Sequence, residues 1–124
     1  MTMKVDGLVV SNTSKSRPNT LLSPHKNEMG GLSGRPIKEI AHRTLHQVYQ
    51  LTNGTIPIVG VGGIENGEDA YQRIRAGASL IEIYTAMTYY GPGLIQTIKR
   101  DLDACLERDG FKTVAEAVGA DHRV

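Results

Sequence analysis

The sequence predicts an α/β fold of about three βα units, which form the C-terminal portion of a (β/α)8 TIM barrel. The first observation is the apolar run at residues 56–63, which is typical of a buried parallel strand that ends in glycines. A helical stretch and a second apolar run at residues 80–85 follow it. In such barrels the loops after the last two strands often hold a phosphate group, beside a short extra helix. The chain has 124 residues, whereas a complete barrel takes roughly 250.

The N-terminal half contains one strand, a long connection and one helix. Residues 8–10 are β-branched and apolar without alternation, which predicts a strand covered on both faces. Residues 12–35 are rich in Ser, Thr, Asn, Lys, Pro and Gly, and a connection of this length is usually a functional lid or disordered; we favour the lid. Pro36 suits the first turn of the following helix and Gly54 its end. The residues of the apolar face that is expected to pack on the sheet are Ile37, Ile40, Ala41, Leu45, Val48 and Tyr49.

The C-terminal half predicts three further helices. Asn66 can cap a helix that runs to about Ala76, with Gly77 past its end. A later, longer helix stops at Gly110, and its apolar stripe comprises Leu94, Ile95, Ile98, Leu102, Cys105 and Leu106. Thr113 with Glu116 forms a capping box for a final short helix. The order β-α-β-α-β-α implies parallel strands with right-handed crossovers, in one domain over residues 1–124.

Composition excludes several classes of function. Fourteen basic and thirteen acidic residues give a formal net charge of +1, which offers no electrostatic basis for binding nucleic acid or an anionic membrane. The single cysteine, Cys105, cannot form an internal disulfide and is expected in the core. No apolar run reaches the roughly 20 residues of a spanning helix, and residues 1–4 are too few for a signal or transit peptide before the first strand.

Candidate site residues stand at the ends of the three predicted strands, which open on one face of a parallel barrel. They are Ser11, Asn12, Thr13, Gly62, Gly63, Tyr84 and Thr85. The amide of Asn12 suits a planar heterocycle with alternating N–H and C=O groups, or it starts a turn. The two glycines either admit a phosphate to the backbone or form a tight βα turn. The hydroxyl of Thr85 could bond a phosphate oxygen or cap the next helix.

Other reactive residue types carry weaker expectations. The loop serines have no base at motif spacing and are expected to be loop hydroxyls: Ser14, Ser16, Ser23 and Ser33. His42 and His46 are four residues apart on one helix, but no third metal ligand accompanies them, so we expect them to border the packed face. Tyr89 and Tyr90 suit either the core or a tunnel wall.

Five segments carry a resemblance to a known family. They are Asp-Gly-Leu-Val-Val-Ser-Asn-Thr-Ser at residues 6–14, Gly-Gly-Leu-Ser-Gly at 30–34, Ile-Pro-Ile-Val-Gly-Val-Gly-Gly at 56–63, Arg-Ala-Gly-Ala-Ser at 75–79, and Tyr-Thr at 84–85. Together they resemble the C-terminal part of class 2, quinone-dependent dihydroorotate dehydrogenase. That family is an FMN-containing (β/α)8 barrel that oxidises dihydroorotate to orotate in pyrimidine (UMP) synthesis and passes the electrons to a membrane quinone. Residues 119–123 resemble its mitochondrial members, which implies a location at the mitochondrial inner membrane.

The resemblance implies a role for each site residue. It places Asn12 and Thr13 on the orotate ring, with Ser11 and Gly34 beside the flavin. It places Gly62, Gly63, Tyr84 and Thr85 around the FMN phosphate. Met87, Thr88 and Pro92 are expected near the tunnel through which quinone reaches the flavin. Ser11 departs from the threonine usual in the family.

The resemblance assigns no catalytic residue and no metal to this chain. It begins at about the sixth strand, and the family's serine base, flavin-contacting lysine and membrane-docking helical pair precede that point. The 124 residues alone are therefore expected to be inactive. Two alternatives stay open: an inactive fragment or interaction module, and another phosphate-binding flavin barrel enzyme.

Overall fold

The computed structural model describes residues 4–123. Residues 1–3, part of the N-terminal segment judged too short for a leader, lie outside the described residues. The strands are β1 (Leu8–Val10), β2 (Ile58–Val61) and β3 (Leu80–Glu82), and the helices are α1 (Lys38–Leu51), α2 (Gly67–Arg75), α3 (Thr85–Tyr90), α4 (Leu94–Asp109) and α5 (Val114–Ala117). Single 3₁₀ turns cover Arg35–Ile37 and Ala120–His122. The predicted α/β fold is confirmed.

The three strands form one parallel sheet in the order β1-β2-β3. Val10 pairs with Gly60, and Gly60 pairs with Ile81, so the carboxyl ends of the strands lie at one edge. Helices α1 and α2 are the two crossovers. This arrangement is the one that the chain order predicts, because parallel neighbours need a crossover connection.

All helices that contact the sheet pack on one of its faces. Leu45 of α1 is fully buried against Val10, Ile58 and Ala78, which lie on or next to the strands. A second cluster joins α2 to α4 and α5; its buried members are Tyr71, Ile74, Cys105, Leu106 and Ala117. Cys105 is therefore a core residue, as predicted.

The opposite face of the sheet is open. Val9 is 64% exposed and Leu80 is 65% exposed, and both pair with Val59 across the sheet. The prediction that residues 8–10 are covered on both faces is wrong for this chain. In a (β/α)8 barrel this face points inward and is filled by side chains from other strands.

Helix ends follow the predicted local rules. The Asn66 side chain accepts a hydrogen bond from the Asp69 N–H at 2.8 Å, and Gly110 takes a left-handed conformation with φ 79° after α4. Thr113 accepts from the Glu116 N–H at 3.3 Å, while the Glu116 carboxylate accepts from the N–H of Lys112. The capping box is thus present, although its return bond falls one residue earlier than expected.

Two features differ from what the sequence predicts: the end of the third strand and the exposure of two isoleucines. The strand predicted at 80–85 ends at Glu82, because α3 already begins at Thr85 and the two residues between them turn the chain. Ile40 and Ile95 are each 45% exposed, beside the packed stripes of α1 and α4 rather than on them.

No helix within residues 4–123 is both long and apolar enough to cross a membrane.

Candidate functional site

A cavity of about 1010 Å³ opens at the carboxyl ends of the three strands. All eight site residues singled out from the sequence line it: Ser11, Asn12, Thr13, Gly34, Gly62, Gly63, Tyr84 and Thr85. The strand ends converge because the strands are parallel and adjacent. The predicted common pocket is therefore present.

The long connection between β1 and α1 forms one wall of this cavity. It is tied to itself by a short antiparallel bridge in which Ser14 and Leu32 exchange backbone hydrogen bonds of 2.9 and 2.7 Å. The Arg17 guanidinium donates to the carbonyl oxygens of Glu28 and Gly30 at 3.1 and 2.6 Å. The bridge and the guanidinium contacts fix the loop as a hairpin-like flap beside the pocket.

The turn after β2 requires glycine because of its backbone conformation and its close packing against α1. Gly62 and Gly63 have φ of 109° and 73°, which other residues rarely adopt. A Cβ at Gly63 would lie 2.6 Å from Lys38 Cα, at the start of α1. Gly63 thus lets the turn dock against α1, and the tight-turn interpretation holds whether or not a ligand is bound. The backbone N–H groups of both glycines donate to no acceptor among residues 4–123.

The C-terminal end of the flap, at Ser33 and Gly34, contacts the first residue of α3. The Thr85 hydroxyl donates to the Ser33 hydroxyl oxygen at 2.8 Å. Gly34, with φ 75°, passes so close that a Cβ would lie 2.8 Å from Thr85 Cγ2. Thr85 is the first residue of α3 and not its cap, so the capping alternative is wrong.

Asn12 is half engaged by its own neighbour. Its Oδ1 accepts from the Thr13 N–H at 2.7 Å and from the Thr13 hydroxyl at 3.4 Å. Its amide N–H₂ group has no partner among the described residues. The side chain therefore both shapes a local turn and offers donors to the cavity.

An ion-pair network at the rim was not anticipated from the sequence. Arg35 donates to both carboxylate oxygens of Glu65 at 2.8 and 3.0 Å, and Lys38 lies 3.3 Å from Glu65 and 2.7 Å from Asp69. The hydrogen bond from Arg35 is the main cause that lowers the pKa of Glu65 below its ordinary value. The basic residues at the start of α1 and the acidic residues at the start of α2 were visible signals, but their proximity depends on how the two helices pack.

The sequence also did not identify Arg73 as a residue that contacts the site. It is only 1% exposed, and its Nη2 donates to the carbonyl oxygens of Gly62 at 3.0 Å and Lys38 at 3.4 Å. Its position between Ala70 and Ile74 on the buried side of α2 was the available sign.

The other residues that the sequence analysis considered lie at the edge of the cavity or away from it. Tyr89 and Tyr90 are 80% and 53% exposed and line the cavity, so they are not core residues. Met87, Thr88 and Pro92 are not among the residues that line the cavity, although Ala86, Tyr89 and Tyr90 are. The His46 ring stacks on His122 with centroids 4.1 Å apart. Residues 4–123 contain no group of three or more side chains that could hold a metal ion.

Comparisons with known proteins identify the family of this chain. The family model for dihydroorotate dehydrogenase matches residues 1–106. The chain is 56% identical over 119 residues to dihydroorotate dehydrogenase (quinone) of Rhodospirillum rubrum, covering 96% of this chain and 32% of that protein. It is 49% identical over 119 residues to the mitochondrial dihydroorotate dehydrogenase (quinone) of Mus musculus, covering 96% of this chain and 30% of the relative.

A solved structure gives the same result. Ligand-free dihydroorotate dehydrogenase from Eimeria tenella superimposes with a TM-score of 0.93 at 48% identity, covering 97% of this chain and 33% of that chain. The chain therefore spans about a third of the length of the relatives it matches. From its sequence motifs, its parallel sheet and these matches, the chain belongs to the dihydroorotate dehydrogenase family, in the quinone-dependent class.

Proposed function

We propose that this chain supplies the flavin-phosphate end and the pyrimidine contacts of a quinone-dependent dihydroorotate dehydrogenase, which oxidises dihydroorotate to orotate in de novo pyrimidine synthesis. The observation that carries the proposal is the convergence of all eight candidate residues on one cavity at the strand ends. The carboxyl face is where barrels of this kind bind their ligands. The cavity also has the size of a cofactor site, which is on the order of 300–1,000 Å³.

The turn after β2 suits the phosphate of FMN. The N–H groups of Gly62 and Gly63 are free of protein acceptors in the described chain, and N–H groups of this kind bind anions. The nearby carboxylate of Glu65 is neutralised by Arg35 and Lys38, so it does not repel an anion as an isolated charge would. In this proposal Tyr84 and Thr85 complete the phosphate site, and Gly34 and Ser11 lie beside the flavin. When bound, the flavin supplies the two-electron acceptor for the reaction.

Asn12 and Thr13 would hold the pyrimidine. Dihydroorotate presents alternating N–H and C=O groups, and Asn12 offers a free amide donor while the Thr13 hydroxyl can donate or accept. The flap from residue 12 to residue 34 would exclude water from the ring. These residues bind and orient the substrate; no described residue is assigned the base that removes a proton.

The cellular setting follows from the relatives. Those from mouse and Arabidopsis thaliana are named mitochondrial, which supports a mitochondrial location for a protein carrying this chain. We place it at the inner membrane, with quinone as electron acceptor reaching the flavin near Met87, Thr88 and Pro92. Membrane association would use a segment other than the residues described.

The proposal is tested in a complete barrel, made by replacing the matching third of the Rhodospirillum rubrum relative with this chain. We expect the purified complete barrel to carry bound FMN and to form orotate with a quinone acceptor. The unmodified relative is the control for expression and assay. A folded complete barrel without flavin would support the non-catalytic alternative. Bound flavin with turnover of other substrates but not dihydroorotate would support a different flavin enzyme.

A further inference from the structure

Arg73 is the only charged side chain buried below a tenth of its surface in residues 4–123. Removing a guanidinium from water is costly unless it is paired. Arg73 forms no salt bridge within the described chain, and its Nε and Nη1 have no hydrogen-bond partner there. Packing alone does not explain a cation at this position, since an apolar side chain of the same size would fill the space.

The side chain of Arg73 runs from α2 beneath the end of β2. Gly60 leaves room for it, because a Cβ at Gly60 would lie 2.6 Å from Arg73 Cγ. Beyond Gly60 the guanidinium reaches the Gly62 carbonyl oxygen, at 3.0 Å from Nη2. Arg73 therefore contacts the cavity-lining turn from its buried side.

This contact fixes the orientation of one peptide group. The Gly62–Gly63 peptide is trans, so its C=O and N–H point in opposite directions. With the Gly62 oxygen held toward Arg73, the Gly63 N–H points away from the protein interior, and Gly63 lines the cavity. That N–H has no acceptor among residues 4–123.

We propose that Arg73 is a positioning residue for the anionic end of the bound cofactor: it holds the Gly63 N–H toward the cavity and adds, behind it, a positive charge that forms no salt bridge within the described residues. This inference rests on the proposed FMN site. The carboxylates that act on Arg73 through space, Asp69 and Glu39, form no salt bridge with it. Asp69 is instead engaged by Lys38 and by the Glu65 N–H. The charge of Arg73 is thus left for a ligand anion.

The test compares two flavins in the apo form of the complete barrel. FMN carries the phosphate and riboflavin lacks it, so the ratio of their affinities isolates the anionic end. We expect Arg73→Met to weaken FMN binding by about 10-fold or more while riboflavin binding changes by less than about 3-fold. Arg73→Lys keeps the charge, so its ratio of FMN affinity to riboflavin affinity should be close to that of the wild type. Arg75→Met is the matched control, since Arg75 lies on the same helix but pairs with Asp109 and Asp121.

Each outcome decides something. An unchanged ratio in Arg73→Met, or an equal loss of both flavins, overturns the positioning role and leaves the proposed function standing. A wild-type complete barrel that does not prefer FMN over riboflavin overturns the proposed FMN site as well. If Arg73→Met does not fold, amide NMR of the wild-type protein decides. The Gly63 amide resonance should shift when FMN replaces riboflavin, and an unmoved resonance would overturn the inference.

Discussion

Replacing Gly63 by alanine should both destabilise the protein and abolish flavin binding at the proposed site. The turn after β2 packs against the first residue of α1, and an alanine Cβ would lie 2.6 Å from Lys38 Cα and 2.8 Å from Lys38 Cβ. Ordinary contacts between such atoms are about 3.5–4.0 Å. Helix α1 must therefore move away from the turn that would hold the phosphate.

The size of the effect follows from two terms. Gly63 has φ 73°, and an L-residue in the left-handed region costs about 1–2 kcal/mol. Overpacking against Lys38 costs about 1–3 kcal/mol more. The sum is about 2–5 kcal/mol, a large part of the roughly 5–15 kcal/mol that stabilises a typical domain.

Gly110 provides a matched control for the backbone term. It has φ 79°, and a Cβ there would have no neighbour within 4 Å. Gly110→Ala should therefore cost only about 1–2 kcal/mol. The assay is denaturant unfolding of the apo complete barrel, with bound flavin measured on purified protein. Gly63→Ala should lose flavin and Gly110→Ala should keep it. If Gly63→Ala were no more destabilising than Gly110→Ala, the packing argument would be refuted.

Three further predictions concern the substrate end, acid stability and the isolated chain. Asn12→Ala should raise the dihydroorotate KM of the complete barrel about 5- to 150-fold with normal flavin content, because one or two hydrogen bonds are lost; loss of flavin would contradict the division of the pocket. Hydrogen bonds hold the pKa of the Asp109 carboxyl at about 2, below its ordinary value of 3.8, and the bond from Arg108 is the largest cause. The ionised carboxylate therefore stabilises the folded protein fully above pH 3.8, and this stabilisation should disappear as the pH falls through about 2. Asp109→Asn should remove the contribution of this carboxylate to unfolding by acid. If the acid unfolding transition of Asp109→Asn were the same as that of the wild type, this assignment to Asp109 would be wrong. The 124-residue polypeptide alone should aggregate or expose a molten core through Val9 and Leu80, and form no orotate; a monomer with a sharp thermal transition would show otherwise.

Local features of this fold could be predicted from the sequence because they depend on neighbours in the chain. The Asn66 cap, the Gly110 stop and the Thr113 cap each involve residues at most four positions apart. The convergence of the strand ends also followed from chain order, since alternating strands and helices imply a parallel sheet.

Other features depended on packing that the sequence does not encode locally. An apolar run shows that residues 8–10 are hydrophobic but not what covers them, and Val9 is exposed. The Arg35–Glu65 pair joins residues 30 positions apart. The burial of Arg73 was hidden because a charged residue is usually assigned to a solvated helix face.

A crystal structure of the complete barrel with FMN and orotate bound would show directly whether the strand-end cavity holds both ligands. We expect a phosphate oxygen about 2.7–3.2 Å from the Gly63 nitrogen and the pyrimidine ring against Asn12 and Thr13. A phosphate bound elsewhere, or a Gly63 N–H turned away from it, would contradict the assignment of this cavity.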